Sequence, residues 1–308
     1  MTRRTVVVCA AALVLAAGTS AFAQQAGRST GFKAIYVFGD SLSDGGNLAS
    51  VGGLNTPPYD PTRYSNGKIW VDYLAEFHRL DPVTPSTSGG TNYAWGGATA
   101  TPGLEYVPGT NGIAQVQQYL DRAGGVADKK GLYIIEIGLN DLGGLIGGGS
   151  DPAAAAAATA GHVETMLSML LAAGARHLWL VQPSRHTDPL EALLEPFLPG
   201  FTVAFESAIQ QFNARLASAV AAAEHQDVHV ADWDALEDQI RADPGAYGFA
   251  DTTHACVQEW PLPWWDATLT VCSQPNTYVF WDHSHRTEHV HELYAALLAT
   301  SLRGGGNH

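Results

Sequence analysis

Two short segments near opposite ends of the chain hold residues that could act together as a nucleophile and its base. Ser41 lies in FGDSLSDGGN (38–47), after an apolar run, and Asp282 and His285 lie in WDHSHRT (281–287). A serine attacks an acyl carbon only when a base takes its proton and a third group orients that base. Since Asp282 and His285 are about one helical turn apart, we expect their side chains to be in contact.

Two further segments could stabilise the negative oxygen that forms when a serine attacks an ester. NYAWGGATA (92–100) offers a glycine pair on a predicted tight turn, and IGLND (137–141) offers the side-chain amide of Asn140 after a predicted strand. The backbone N–H of Ser41 is a third candidate donor. Each of these fragments, taken singly, is also typical of an ordinary turn.

The periodicity of the chain predicts the elements that must position these residues. Short apolar runs bounded by turn residues predict strands at 33–40, 131–138, 176–183, 227–232 and 276–282. Helical patterns cover 150–174, 201–225 and 285–302, and the Gly-rich segment 143–150 is interpreted as a crossover loop. This alternation predicts an α/β fold, a three-layer α/β/α sandwich with a mostly parallel sheet. Ser41, Asn140 and Asp282 would then follow strand ends that share one edge of the sheet.

The N-terminus predicts a signal peptide. Arg3 and Arg4 precede a short apolar stretch and a small-residue cleavage site, AFA (21–23), so residues 1–23 are expected to be removed and the protein to be secreted or periplasmic. Residues 24–308 would form a single domain with 14 basic and 30 acidic residues, a net charge of −16. That charge disfavours nucleic acid as a partner, and no later run is long enough to span a membrane.

Residues 241–275 show no clear period and are predicted to form an ordered lid. This segment holds the two cysteines that remain after cleavage, Cys256 and Cys272, and three tryptophans, Trp260, Trp264 and Trp265. In an oxidising compartment the cysteines are expected to pair, closing a loop of about 17 residues worth roughly 3 kcal/mol. Two free buried thiols are the alternative.

Four short motifs together resemble a known family. GDSLSDGGN, NYAWGGA, GLND and DHSH are similar, in this order, to the signature blocks of the GDSL lipases/esterases of the SGNH hydrolase superfamily. The resemblance covers about residues 33 to 302 and includes RYSNGKIWVDYLAE (63–76) as a helix-opening segment. It implies a flavodoxin-like α/β/α sandwich.

The resemblance also implies a role for each matching residue. Ser41 would be the nucleophile, with His285 as base and Asp282 as its orienting group. The oxyanion would be held by Ser41, by Gly97, with Gly96 as the nearby alternative, and by Asn140. Two further features of the motifs are structural: Asp40, Asp44 and Asn47 are expected to brace the first loop through backbone hydrogen bonds, and Arg286 stands where the family usually has proline.

The expected activity is hydrolysis of carboxylic esters through an acyl-enzyme, which needs no cofactor and no metal. A choline ester is one alternative substrate, if Trp260, Trp264, Trp265 and Trp281 form a cation–π box. Phospholipase or acyltransferase activity is another. The motif HRTEH (285–289) could instead bind zinc through His285 and His289. A binding protein with an inactive site is the non-enzymatic alternative.

Overall fold

The computed structural model describes residues 31–52, 57–223, 227–258 and 269–304. Two groups of sequence predictions lie outside these residues. They are the signal peptide, 1–23, and three of the four box tryptophans, Trp260, Trp264 and Trp265.

A four-stranded parallel sheet with strand order β1-β2-β3-β4 forms the centre of the fold. Its strands are β1 Ala34–Gly39, β2 Gly131–Glu136, β3 His177–Gln182 and β4 Asp227–Asp232. Every residue of β2 is buried, as expected for an apolar strand in a sheet that is covered on both faces. The predicted α/β class with a parallel sheet is confirmed.

Helices cover both faces of this sheet. Side chains of β1 alternate between two hydrophobic cores, with Phe38 in one and Ile35 and Val37 in the other. The α-helices among the described residues are α1 Asn47–Ser50, α2 Trp70–His78, α3 Gly112–Arg122, α4 Leu139–Gly147, α5 Pro152–Ala172, α6 Asp188–Leu194, α7 Phe201–Ala222, α8 Trp233–Ala242 and α9 Glu288–Gly304. Residues of α3, α4, α5 and α7 belong to the first core, and residues of α2, α8 and α9 belong to the second. The three predicted layers are therefore present.

Local sequence explains where the long helix α5 begins. Asp151 caps α5 by accepting the N–H groups of Ala153 and Ala154, and Pro152 occupies its first turn, as predicted. The Gly-rich segment 143–150 differs from the prediction, because α4 continues through Gly147 rather than forming a loop. None of the helices in the described ranges is long and apolar enough to cross a membrane.

The loop that contains the second motif runs beside the free edge of β1. Tyr93 donates its backbone N–H to Val37 O, and Trp95 donates to Gly39 O, at 2.8 and 3.1 Å. This irregular pairing carries the chain in the same direction as β1. The residues that follow Trp95 therefore arrive beside the residues that follow β1.

The strand before Asp282 does not join the main sheet, contrary to the prediction that both strand ends lie on one sheet. That strand, β8 Tyr278–Phe280, pairs in parallel with β5 Asp251–Ala255 in a separate two-stranded sheet. The backbone N–H groups of Cys256 and Val257 continue this pairing, donating to the carbonyls of residues 280 and 281. The pairing partner is therefore supplied by residues that the sequence assigned to the lid.

The final helix begins three residues later than predicted. Thr287 donates its backbone N–H to Val279 O, and Trp281 donates to His285 O, so residues 281–287 fold back as a loop before α9 starts at Glu288. We call residues 281–287 the Asp282 loop. Asp282 and His285 therefore meet through a loop rather than through a helical turn.

Part of the predicted lid forms a small disulfide-bonded unit. Strand β6, Val257–Gln258, pairs in antiparallel fashion with β7, Thr270–Val271, and the predicted Cys256–Cys272 disulfide joins the two sides. Short 3₁₀ helices, Pro244–Tyr247 and Pro275–Thr277, lie in the flanking chain, and a third is at Ser86–Ser88.

A buried ion pair holds the Asp282 loop against α8. Arg286, only 2% exposed, donates from Nε to Glu237 Oε1 at 2.8 Å and from Nη2 to His186 O at 2.7 Å. Burial raises the pKa of Glu237, but the charge of Arg286 and its hydrogen bonds outweigh this and lower it. The guanidinium also lies 4.3 Å from the centre of the Phe280 ring. Arg286 therefore points into the interior rather than towards the mouth of a site.

Replacing Arg286 by alanine is expected to destabilise the protein by about 3–5 kcal/mol, because Glu237 would keep a buried charge without its partner. Denaturant unfolding monitored by circular dichroism measures this loss. Lys68 is the matched control, since its ion pair with Glu76 is exposed, and Lys68→Ala should cost less than about 1 kcal/mol. Equal losses in the two variants would contradict the proposed importance of the buried pair.

Candidate active site

The first and third motifs meet at the carboxyl-terminal edge of the main sheet. Ser41 follows the end of β1, and Asn140 follows the end of β2 at the start of α4. The two strands are neighbours, with Gly39 directly opposite Glu136. Both residues therefore lie where parallel sheets place their sites, as the sequence predicted.

The Asp282 loop brings Asp282 and His285 to Ser41 in one continuous hydrogen-bonded line. His285 Nε2 lies 2.9 Å from Ser41 Oγ, and His285 Nδ1 lies 2.7 Å from Asp282 Oδ2. With its Nδ1 protonated in the tautomer that the carboxylate favours, the imidazole can accept the hydroxyl proton at Nε2. The structure thus places all three residues at the distances that nucleophilic catalysis requires.

Asp282 is buried and its carboxylate is strongly stabilised. Burial by itself opposes ionisation, but His285, the nearby His283 and the N–H of Ser284 lower its pKa well below the usual range of aspartate. Asp282 Oδ1 accepts the backbone N–H groups of Ser284 and His285, both at 2.7 Å. This Asx turn, not a helix, sets the position of the imidazole relative to the carboxylate.

Three groups at this edge could hold an oxyanion. Among the described residues, the backbone N–H groups of Ser41 and Gly97 have no hydrogen-bond acceptor. The N–H of Gly96, the alternative, already donates to Asp44 Oδ2 at 2.8 Å. Asn140 donates one amide hydrogen to the carbonyl oxygen of Ala98 at 2.8 Å, which leaves the second hydrogen for another acceptor.

Gly97 tolerates no side chain at its position. Its φ of 72° is left-handed, and an added Cβ would lie 2.6 Å from Tyr106 Cβ. Tyr106 donates its backbone N–H to Gly97 O at 3.0 Å and is 77% exposed. The exposed side chain of Tyr106 therefore lies beside the turn that presents the Gly97 N–H.

Buried side chains brace the first motif against the second, as the sequence predicted. The carboxylate of Asp44 accepts three backbone N–H groups of its own loop in addition to that of Gly96. Asn47 donates to the carbonyl oxygens of Asn92 and Ala94, both at 2.8 Å. These bonds hold the Ser41 loop and the Gly97 turn in one arrangement.

Two buried carboxyl groups, those of Asp40 and Glu136, lie near Ser41. Asp40 accepts the N–H of Leu42 at 3.0 Å, and Glu136 accepts the hydroxyl of Ser43 at 2.6 Å. Burial, followed by the charge of Glu136, raises the pKa of Asp40, and burial raises the pKa of Glu136 to about 7. Trp70 of α2 donates to Ser43 Oγ at 3.1 Å and so connects α2, through Ser43, to Glu136. Sequence reasoning did not identify Glu136, whose only signal was a charge in an apolar strand.

Sequence reasoning also missed a set of contacts from residues 59–66, which we call the clamp segment. Four of its side chains contact the Asp282 loop or the start of α9: Tyr59 on Asp282, Tyr64 on His285, Ser65 on Arg286 and Asn66 on Glu288. The clamp segment overlaps the first residues of the helix-opening sequence, 63–76, and begins before it. No spacing or periodicity signals that its side chains reach residues more than 200 positions away.

Two of these contacts involve the proposed catalytic residues. The Tyr59 hydroxyl donates to Asp282 Oδ2 at 2.8 Å. The Tyr64 ring stacks on the imidazole of His285, with ring centres 5.0 Å apart. The clamp segment therefore limits the movement of both side chains.

Trp281 does not line a cation box. It is 2% exposed and packs in a small core with Cys256, Val257 and the ring of Tyr59. A ring that is covered on this scale presents no face to a quaternary ammonium group. The prediction for Trp281 is therefore wrong, and its indole contributes to packing.

The zinc hypothesis is also inconsistent with the geometry. His285 precedes α9 and directs both ring nitrogens at Ser41 and Asp282. His289 lies on α9, where it stacks on Phe249 and its Nδ1 lies 2.9 Å from Asn276 O. Within the described ranges no group of three histidine, cysteine or carboxylate side chains is arranged to hold a metal ion.

Proteins named as esterases or lipases match most of the chain. A GDSL esterase/lipase of Arabidopsis thaliana is 27% identical over 332 aligned residues, covering 86% of this chain and 84% of the relative. An esterase of Hevea brasiliensis is 26% identical over 342 residues, covering 87% of this chain and 85% of the relative. The chain is thus similar over nearly its whole length to plant proteins named as esterases.

A solved structure and a family model match as well. Est24, a carbohydrate acetylesterase from Sinorhizobium meliloti, is 14% identical with a TM-score of 0.49, covering 88% of this chain and 99% of that one. The family model described as GDSL-like lipase/acylhydrolase matches residues 35–298, a range that begins in β1 and ends in α9. Because this match includes all four motifs and most of the chain, the protein belongs to the GDSL-like lipase/acylhydrolase family.

Proposed function

We propose that the protein hydrolyses carboxylic esters through an acyl-enzyme formed on Ser41. The observation that carries this proposal is the line of contacts from Ser41 Oγ through His285 to Asp282, at 2.9 and 2.7 Å. The family membership and the relatives named as esterases support the same reaction class. A buried, ionised carboxylate next to a histidine is the arrangement that makes a serine hydroxyl nucleophilic at neutral pH.

The first half of the reaction acylates the serine. Ser41 Oγ attacks the carbonyl carbon of the ester as His285 Nε2 takes its proton, and the carbonyl oxygen becomes negative. The N–H groups of Ser41 and Gly97 and the amide of Asn140 stabilise that oxygen. When the C–O bond breaks, His285 returns the proton to the leaving alcohol, and the acyl group stays on Ser41.

The second half restores the enzyme. A water molecule donates a proton to His285 and attacks the acyl carbon, with the same groups stabilising the new oxyanion. Collapse breaks the bond to Ser41 Oγ, which recovers its proton from His285, and a carboxylic acid leaves. Asp282 remains ionised throughout and stabilises the positive imidazolium in both halves.

We also propose that residues 1–23 direct the protein out of the cytoplasm and are then removed. The support for this is the order of two arginines, a short apolar stretch and AFA at 21–23. The Cys256–Cys272 disulfide is consistent with an oxidising compartment.

Substituting Ser41 by alanine should reduce ester hydrolysis to background while the unfolding temperature stays within a few degrees of wild type. The substitution removes the only atom that forms the acyl bond and leaves the braced loop in place. Initial rates on a chromogenic short-chain ester measure the effect, and the exposed Ser88 provides the control variant Ser88→Ala. Wild-type turnover by Ser41→Ala would rule out the proposed nucleophile.

The specificity constant kcat/KM should rise with pH along a single limb. General-base catalysis requires a neutral imidazole, and histidine side chains are protonated at low pH, so the rate should fall there. Asp282 adds no second limb in the same range, because its lowered pKa keeps it ionised there. Measuring kcat/KM between about pH 5 and 8 tests this, and a flat profile would argue against a histidine base.

Replacing Asn140 by alanine should lower kcat by about 10² to 10³ with little change in KM, because the oxyanion exists in the transition state and not in the bound ester. Steady-state kinetics separate the two constants. Since Asn140 is exposed, the unfolding temperature should remain close to that of the wild type. A rise in KM at unchanged kcat would instead assign Asn140 to ground-state binding.

A further inference from the structure

The carboxylate of Asp282 has one hydrogen-bond donor that the triad does not require. Tyr59, which lies 223 positions earlier in the chain, donates its hydroxyl to Asp282 Oδ2 at 2.8 Å. This is the same oxygen that contacts His285 Nδ1, at 2.7 Å. Two donors therefore converge on one oxygen, one from the base and one from the clamp segment.

Tyr59 completes the set of donors around this carboxylate. Asp282 Oδ1 accepts the backbone N–H groups of Ser284 and His285, and Oδ2 faces the imidazole and the phenol. A carboxylate offers about four lone-pair directions, and four donors occupy them here. A charge that is buried to this extent keeps its place only when its acceptor sites are satisfied.

The phenol itself is held by packing and by the fold of its own segment. The Tyr59 ring meets the indole of Trp281 edge to face, with ring centres 5.9 Å apart. Asp60, the next residue, donates its N–H to Ser65 O at 2.9 Å. Arg63 then joins this loop to α2 by two bonds of 2.7 Å to the carboxylate of Asp72. A donor fixed in this way can determine the position of its acceptor.

We propose that Tyr59 is a positioning residue for the triad, an inference that rests on the proposed function. Its hydroxyl holds Asp282 Oδ2 where it accepts the His285 Nδ1–H bond. The hydrogen bond from the phenol also partly neutralises the negative charge on that oxygen. Without the hydroxyl, Oδ2 keeps its contact with His285 Nδ1 but loses its second donor, so its negative charge acts more strongly on the imidazole. The Tyr59 hydroxyl contacts Asp282 and not Ser41 Oγ or His285 Nε2, so its proposed effect on the reaction passes through Asp282 and His285.

The test compares Tyr59→Phe with Tyr73→Phe. Tyr73 is a matched control, since it is also partly buried and its hydroxyl donates to a carboxylate, Glu288 Oε1, at 2.9 Å, but that carboxylate lies outside the triad. Tyr59→Phe should lower kcat roughly 10-fold with KM unchanged, the loss expected for one hydrogen bond to a charged group. Because the unshared charge favours the protonated imidazole, the acid limb of kcat/KM should also move to higher pH. Tyr73→Phe should change neither.

A spectroscopic measurement separates this inference from the proposed function. The proton on His285 Nδ1 should give a downfield NMR resonance, and Tyr59→Phe should shift it while Tyr73→Phe does not, whether or not the protein turns over an ester. If the wild-type protein did not hydrolyse esters but Tyr59→Phe still shifted the resonance, the proposed function would be refuted and the link from Tyr59 through Asp282 to His285 would stand. Wild-type kcat, pH profile and resonance in Tyr59→Phe would overturn the positioning role. A lower kcat with neither the pH limb nor the resonance moved would overturn it too.

Discussion

The buried charge of Asp282 is the constraint around which the proposed active site of this protein is organised. An ionised carboxylate removed from water must be surrounded by donors, and here they come from the backbone of its own loop, from His285 and from Tyr59. Each donor restricts the geometry of a different part of the chain. The turn that satisfies Oδ1 is also the turn that aims the imidazole at Ser41.

Two contacts on opposite sides hold the Asp282 loop in place. On one side, Arg286 is buried against Glu237 of α8. On the other, Ser65 of the clamp segment donates to the carbonyl oxygen of Arg286 at 3.0 Å. The Arg286–Glu237 ion pair crosses from the loop to another helix, so the position of residues 281–287 depends on tertiary contacts.

The part of the site around Ser41 and Asn140 is held in place in a different way from the part around Asp282. Ser41 and Asn140 follow neighbouring strands of one sheet, and Asp44 and Asn47 link the first two motifs through bonds to backbone groups. Each of these features follows from local turn chemistry and from strand order, which sequence patterns report well. The part of the site around Asp282 and His285 depends on the β5–β8 sheet, on the Cys256–Cys272 disulfide and on the clamp segment, all of which join distant parts of the chain. Hydrolysis would require that the two sides keep a separation of 2.9 Å between Ser41 and His285.

Sequence patterns were enough to predict the α/β class, the four main strands, the long helices and the residues proposed for the triad and the oxyanion hole. This was possible because apolar periodicity and turn residues are local, and because four motifs in a fixed order are specific. The three-dimensional fold was needed to show that β8 pairs with β5, that Asp282 and His285 meet through a loop, and that Trp281 is buried. It alone revealed Tyr59 at Asp282 and Glu237 beneath Arg286. Most of these contacts join residues that are far apart in the chain, and their partners are chosen by packing and by the need to satisfy buried charges, for which no local pattern exists.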